Sequence, residues 1–275
     1  MNKQNLHVMW FVPPAIAVAA SWKAKPGFVL ETSGTQSSDE QFRALLNGRV
    51  DAVVTSMDNV IHWNHRPGPR DFVVVAQVEA TTPLCLVGAR NIKGVHDLKG
   101  ANILVDASEN GFVIALRAML DNTGLMFGDY SLTSIGGVKE RFSALVEGKG
   151  DATLLGPPFD CLAIQQGLSR LASVQTMYPE FPGQGVVVRK MTAEKHTALE
   201  TWITLLFETL KTVPGSQGKI RDYLFGQGIP GEAIELMIKS LPKVLVPDAR
   251  GVNLLIKHRK QLGLMGCKRP AITPC

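Results

Sequence analysis

Cysteine is scarce. There are four in 275 residues (Cys85, Cys161, Cys267 and Cys275), with no C-x-x-C pair and no tight Cys/His cluster. That excludes a zinc-ribbon framework, and a chain of this length needs no disulfides to hold a core. The expectation is two buried thiols and two in a terminal tail, because free Cys behaves as a small apolar residue. Aromatics are also few, at 7%, and charged residues reach only 19% against 45% hydrophobic. Such a composition buries a core and is too apolar for disorder. No apolar run approaches the ~20 residues of a membrane helix, so no transmembrane segment is expected.

Basic residues exceed acidic ones, 29 to 24, but they are scattered, with a mild concentration only at Lys257, Arg259, Lys260, Lys268 and Arg269. Nucleic-acid binding needs the excess on one face, so no nucleic-acid partner is expected. There is no Gly-x-Ser-x-Gly elbow, Walker loop or dinucleotide fingerprint; Gly136-Gly137 follows a strand but lacks the third glycine. His62 and His65 have helical metal-ligand spacing, yet no third ligand stands nearby. Neither a metal nor a cofactor is expected.

The N-terminus imitates an export signal: Lys3, an apolar stretch from Leu6 to Ala20, then Ala17-Val18-Ala19. Pro13-Pro14 interrupts it, and the same residues read as a strand over Leu6–Phe11 and a helix over Ala15–Lys23. The chain as written is therefore expected to carry no signal, which makes it cytoplasmic as written and periplasmic if a signal was removed.

What the chain does contain is a repeat. Gln41-Phe42-Arg43-Ala44-Leu45-Leu46-Asn47-Gly48-Arg49-Val50-Asp51-Ala52 returns one hundred positions later as Arg141-Phe142-Ser143-Ala144-Leu145-Val146-Glu147-Gly148-Lys149-Gly150-Asp151-Ala152. In each copy an apolar helical face ends at a glycine cap, and Asp-Ala opens a short buried strand. The same grammar twice argues for two related lobes, and the period is too long for a solenoid.

Strands alternating with helices predict doubly wound parallel sheets, hence an α/β fold. The run Phe72 to Val87 is too long for one strand and suits a first crossing between lobes; Val186–Val188 makes the return. Lobe one is expected over residues 1–83 plus 187–275 and lobe two over 84–186. Beyond Thr192 the pattern is helical, in three or four segments punctuated by Pro214, Pro230 and Pro242.

Two such lobes with a helical C-terminal extension resemble the type 2 periplasmic solute-binding proteins. The likeness is to the NMT1/THI5-like branch that serves nitrate, sulfonate, taurine and thiamine-precursor ABC importers. The residues that carry it are the run Ser37 to Leu45, Asn47 to Ala52, Thr55-Ser56-Met57-Asp58-Asn59-Val60, Leu155-Gly156-Pro157-Pro158-Phe159-Asp160, and Leu98-Lys99-Gly100. The resemblance implies a small-molecule ligand in an interlobe cleft and an ABC permease as partner. The same fold hosts soluble decarboxylase-like and pyrimidine-synthase-like enzymes.

Ligands of doubly wound sheets bind beyond the carboxyl ends of the strands. The expected contacts are therefore Trp10 as a stacking platform, Ser38 at a helix start, Ser56, Asp58 and Asn59 after the next strand, and Thr82 at the crossover. Lobe two adds Ser108, Asn110, Pro158 and Phe159, and the return segment adds Gln184. Each has a plain structural role open to it as well, as cap or core. The favoured reading is a solute-binding protein closing on a small polar, flat molecule. The alternative is a decarboxylase or lyase for an aromatic or heterocyclic acid, with Asp58, His65 and Asp160 as its acid/base groups. The cleft loops carry Asp39, Asp58, Asp106, Glu109 and Asp160 but no Lys or Arg at strand ends. That pattern favours a ligand with N–H or O–H donors, unless Arg66 or Arg70 swings in.

Overall fold

The computed structural model describes residues 4–23, 25–109 and 111–265. The segment that imitates a signal is folded core. Its first part is strand β1 (Gln4–Trp10) and its second is helix α1 (Ala15–Ser21), six of whose seven residues are buried. Then come β2 (Phe28–Gly34), α2 (Ser38–Leu46), β3 (Ala52–Ser56), α3 (Asp58–Trp63) and β4 (Val73–Gln77). The chain crosses into a second sheet with β5 (Cys85–Gly88). It continues through β6 (Asn102–Val105), α4 (Val113–Asn122), β7 (Ser131–Ser134), α5 (Val138–Val146), β8 (Ala152–Leu155), α6 (Phe159–Gln165), β9 (Ser169–Ser173) and α7 (Val174–Met177). Strand β10 (Gln184–Val188) returns to the first sheet, and α8 (Ala193–Gly226), α9 (Gly231–Lys239) and α10 (Ala249–Gln261) follow.

The sheets are copies in topology. One runs β2-β1-β3-β10-β4 and the other β7-β6-β8-β5-β9. In each, four strands run the same way, three of them adjacent and paired parallel, and the strand arriving from the other lobe, β10 or β5, pairs antiparallel with both its neighbours. The sheets are thus mixed rather than wholly parallel. The reason is connectivity: a chain entering from the facing lobe arrives at the carboxyl ends of the parallel strands and must run back along them.

The sequence repeat is visible in the hydrogen bonds. Asp51 accepts the His7 N–H at 2.8 Å, and Asp151 accepts the Asn102 N–H at 2.7 Å, each tying a repeat strand to its neighbour. Gln41 donates to the Val54 carbonyl at 3.0 Å, and Arg141 at the matching helix position donates to the Leu154 carbonyl. Apolar clusters cover both faces of both sheets, as burial of a central sheet demands. Cys85 and Cys161 are buried free thiols, and burial pushes each up to about 12. Cys267 and Cys275 lie outside the described residues.

Two findings concern the helical extension. Pro214 does not end a helix: α8 runs for 34 residues straight through it. Its apolar face, Ala198, Leu199, Trp202 and Leu206, is anchored on the first sheet, which outweighs the one backbone bond proline removes. The extension also does not all stay with lobe one, since α10 packs on α4 and Leu255 sits within the core of the second lobe. His258 on α10 lies edge-on to Tyr178, ring centroids 4.4 Å apart.

Gly48 and Gly148 adopt φ of 65° and 74° with open space where a side chain would be. An alanine at either meets only the backbone cost of the left-handed region. Gly48→Ala and Gly148→Ala are each expected to cost about 1 kcal/mol, measured by urea denaturation, and to do so equally if the two caps are equivalent.

Candidate functional site

The carboxyl ends of the parallel strands of both sheets face each other across a cavity of about 110 Å³. That is the scale of one aromatic ring, since an engineered ~150 Å³ cavity accepts benzene. Lobe one lines it with Phe11, Val12 and Pro13 after β1 and with Thr55, Ser56 and Asn59 around the end of β3. Lobe two contributes Val105, Asp106 and Ala107 after β6, Phe112 and Leu116 from the start of α4, and Arg141 from α5. Gly156 and Pro157 follow β8.

The crossings form its floor. Glu79, Thr82 and Pro83 come from the outward crossing and Gln184 from the return. They lie side by side: the Val78 N–H donates to the Gln184 carbonyl at 2.9 Å, and the Thr81 hydroxyl to the Phe181 carbonyl at 2.7 Å. Glu79 is fixed by the Thr82 hydroxyl at 2.5 Å and by Gln184 Nε2 at 3.2 Å. Burial pushes its carboxyl above the usual carboxylate range, and these two hydrogen bonds, with one from the Gln184 backbone N–H, only partly oppose that. Gly183 packs so tightly behind it that a Cβ there would lie 2.3 Å from the Glu79 carbonyl oxygen. No residue but glycine fits that approach.

The lobes touch through loops at the cavity mouth. Ser38 N–H donates to Asp106 Oδ2 at 3.0 Å, Gly111 N–H to Asp58 Oδ2 at 2.8 Å, and Gly137 N–H to the Gln36 carbonyl at 2.5 Å. Each bond joins one lobe to the other. Arg141 is held by the Gly136 carbonyl, the Thr153 hydroxyl and the Leu154 carbonyl. Burial lowers its pKa to about 10 while Asp106 and Glu140 support its charge.

Of the residues expected from sequence, Ser56, Asn59, Thr82 and Gln184 meet at this cavity. The others do not. Trp10 packs on the core beneath α8, and Phe11, one position on, faces the cavity instead. Ser38 is buried behind the interlobe contact, its backbone N–H spent on Asp106. Ser108 is exposed, and its carbonyl accepts from Arg117 at 3.0 Å. Pro158 follows Pro157 through a cis peptide and only Pro157 reaches the lining; Phe159 packs instead against Phe142, centroids 5.5 Å apart. Asn110 lies outside the described residues.

Asp58 is fully buried and held by Arg259 of α10 through two bonds of 2.7 Å. It is a structural carboxylate rather than a ligand contact. His65 is exposed and bonds the Ile61 carbonyl, and Asp160 is buried beside Arg170 at 3.9 Å, away from the lining. The three acid/base groups of the enzyme alternative therefore do not converge. Nor do Arg66 and Arg70 enter: Arg66 bonds Asp39 at 2.6 Å and Arg70 is exposed. Sequence reading missed Glu79, Arg141, and Met237 and Ser240 at the end of α9, which also line the cavity. Among the described residues no His, Cys, Asp and Glu cluster is arranged to hold a metal, and no helix is long and apolar enough to cross a membrane.

Paired sheets of identical order, joined by two crossings with a cavity between facing strand ends, define the two-lobed periplasmic-binding-protein fold. The chain belongs to the NMT1-like family, whose model matches residues 7–214. It is similar in structure to the alkanesulfonate-binding protein SsuA of Xanthomonas axonopodis pv. citri bound to MOPS, with TM-score 0.76 and 16% identity over 97% of this chain and 96% of that one. The periplasmic aliphatic sulphonate-binding protein SsuA of Escherichia coli gives TM-score 0.69 and 20% identity over 96% and 94%. The Candida albicans CA3427 gene product, described as having the generic periplasmic binding protein fold, gives 0.74 and 12% over 95% and 90%. Likeness at these identities establishes the fold. No match was found among curated proteins.

Breaking the Asp58–Arg259 pair leaves a charge stranded at a site with no solvent. Asp58→Asn is expected to destabilise the protein by about 3–5 kcal/mol in urea denaturation. In hydrogen-exchange measurements the amides of α10 should lose protection first.

Proposed function

We propose that the protein is a solute-binding component of the ABC-importer type, whose two lobes close on one small organic molecule in the cavity between them. The observation that carries this reading is the cavity's construction. It is lined by strand-end loops of both lobes and floored by both crossings, so a solute there touches everything that must move when the lobes part. Ser56, Asn59, Thr82 and Gln184 supply polar contacts, while Phe11, Phe112 and Pro157 supply flat apolar walls suited to a planar solute. Closure removes water and strengthens each polar contact. The partner in this reading is a membrane permease that accepts the closed form. Support comes from the family, and from neighbours whose names describe sulfonate binding.

Native mass spectrometry of freshly purified protein is expected to show one small molecule bound per chain, released on acidification. Adding that molecule back at a hundredfold excess over its Kd should stabilise the protein by about 2.7 kcal/mol. A bare polypeptide mass, with no thermal shift across a library of small metabolites, would count decisively against the reading.

A further inference from the structure

The cavity lining has three ionisable side chains of fixed charge sign, Glu79, Asp106 and Arg141. Two of them face an opposite charge within the protein. Asp106 receives the Ser38 N–H at the interlobe contact and faces the Arg141 charge. Arg141 spends its Nε and Nη1 donors on Gly136, Thr153 and Leu154, and its charge is met by Asp106 and Glu140. Glu79 differs. Its contacts are the Thr82 hydroxyl and the side-chain amide and backbone N–H of Gln184, and no Lys, Arg or His pairs with it among the described residues.

A carboxylate has about four lone-pair positions, and the Thr82 hydroxyl with the side-chain amide and backbone N–H of Gln184 occupy three of Glu79's. The remaining acceptor position is unmet by the protein, in a cavity whose flat walls are Phe11, Phe112, Pro83 and Pro157. An unpaired carboxylate in such a place is costly, and its cost disappears when a cation with an N–H donor arrives. The packing makes this a built feature. The backbone of Gly183 presses against Glu79 and fixes it, and the two crossings that carry Glu79 and Gln184 hold each other in register.

We propose that Glu79 is the anchor of the ligand site, and that the ligand is a small, flat, delocalised nitrogen cation: an amidinium or a protonated amino-heterocycle. This rests on the solute-binding reading and gives it a ligand class. An N–H donor of the cation meets the remaining acceptor position of the Glu79 carboxylate, while the ring or planar carbon skeleton lies between the phenylalanines. Burial favours the protonated acid, so uptake of an amidinium, which keeps its charge across the neutral range, requires the proton to leave. Affinity must then rise as pH rises through the Glu79 titration. A sulfonate can accept a hydrogen bond only from the protonated acid and is repelled once Glu79 is ionised.

Isothermal titration of the full chain with two size-matched pairs tests this: acetamidine against methanesulfonate, and benzamidine against benzenesulfonate. At least one amidine is expected to bind tenfold or more tightly than its sulfonate partner. Its affinity should climb as pH is raised from the acid side, through the raised Glu79 titration, and fall at least tenfold in Glu79→Gln. The pH profile of the wild-type protein serves as a readout independent of that variant's folding. Tighter binding of a sulfonate, a pH-independent amidine affinity, or an unchanged affinity in a folded Glu79→Gln each overturns the proposal. If no probe binds while mass spectrometry shows a retained solute, the cation anchor falls and the solute-binding reading stands. If no probe binds and no solute is retained, both fall.

Discussion

The arrangement of the lobes depends on one buried carboxylate. Asp58 begins α3 in lobe one, yet its oxygens are claimed by Arg259 of α10 and by the Gly111 N–H of lobe two. Arg259 in turn donates to the Glu109 carbonyl at 3.1 Å. A charge pair this deep is stable only with every donor and acceptor satisfied, so three separate stretches of chain must meet there together. The consequence for function is geometric. With that knot tied, the loops after β3 and β6 are brought together and the cavity between them is enclosed. The C-terminal helices thereby become part of the binding apparatus, through α10 at the knot and through Met237 and Ser240 of α9 at the lining.

Much of the fold was legible because its physics is local. The repeat of Phe42-Arg43-Ala44-Leu45 as Phe142-Ser143-Ala144-Leu145, each with its glycine cap and Asp-Ala strand, carried the two-lobe architecture directly. The prolines at the start of α1 and the apolar run of β3 needed no tertiary information. What the local pattern could not convey was strand direction. β5 and β10 look like ordinary buried strands, and only the crossing between lobes makes them antiparallel to their neighbours. Pro214 misled for a related reason: a local helix breaker yields when a long apolar face is anchored on a sheet.

The site was legible only in part, and the divide falls on side-chain direction. Ser56, Asn59, Thr82 and Gln184 follow strand ends or crossings and reach the cavity. A neighbouring position on the same loop points elsewhere: Trp10 turns into the core while Phe11 faces out, and Phe159 packs on Phe142 while Pro157 lines the cavity. Asp58 carries no sequence signal of its fate, because its partner Arg259 is two hundred positions away in a basic tail that reads as solvated surface. Glu79 was hidden in an extended apolar run, where a lone acid reads as an edge residue. The available clue was its company: Glu79, Thr82 and the distant Gln184 are polar groups placed on both segments that cross between the lobes.

The central claim is that the lobes close around a solute, and three amides report on it directly. Ser38, Gly111 and Gly137 each donate a backbone hydrogen bond from one lobe to the other. Hydrogen exchange at these three positions, compared between protein as purified and protein stripped of its retained solute, measures closure without reference to any particular ligand. Stripping should speed exchange at all three together while the β3 and β8 core amides stay protected. Unchanged protection at the three interlobe amides would mean that the lobes form one rigid body, and the account would be wrong.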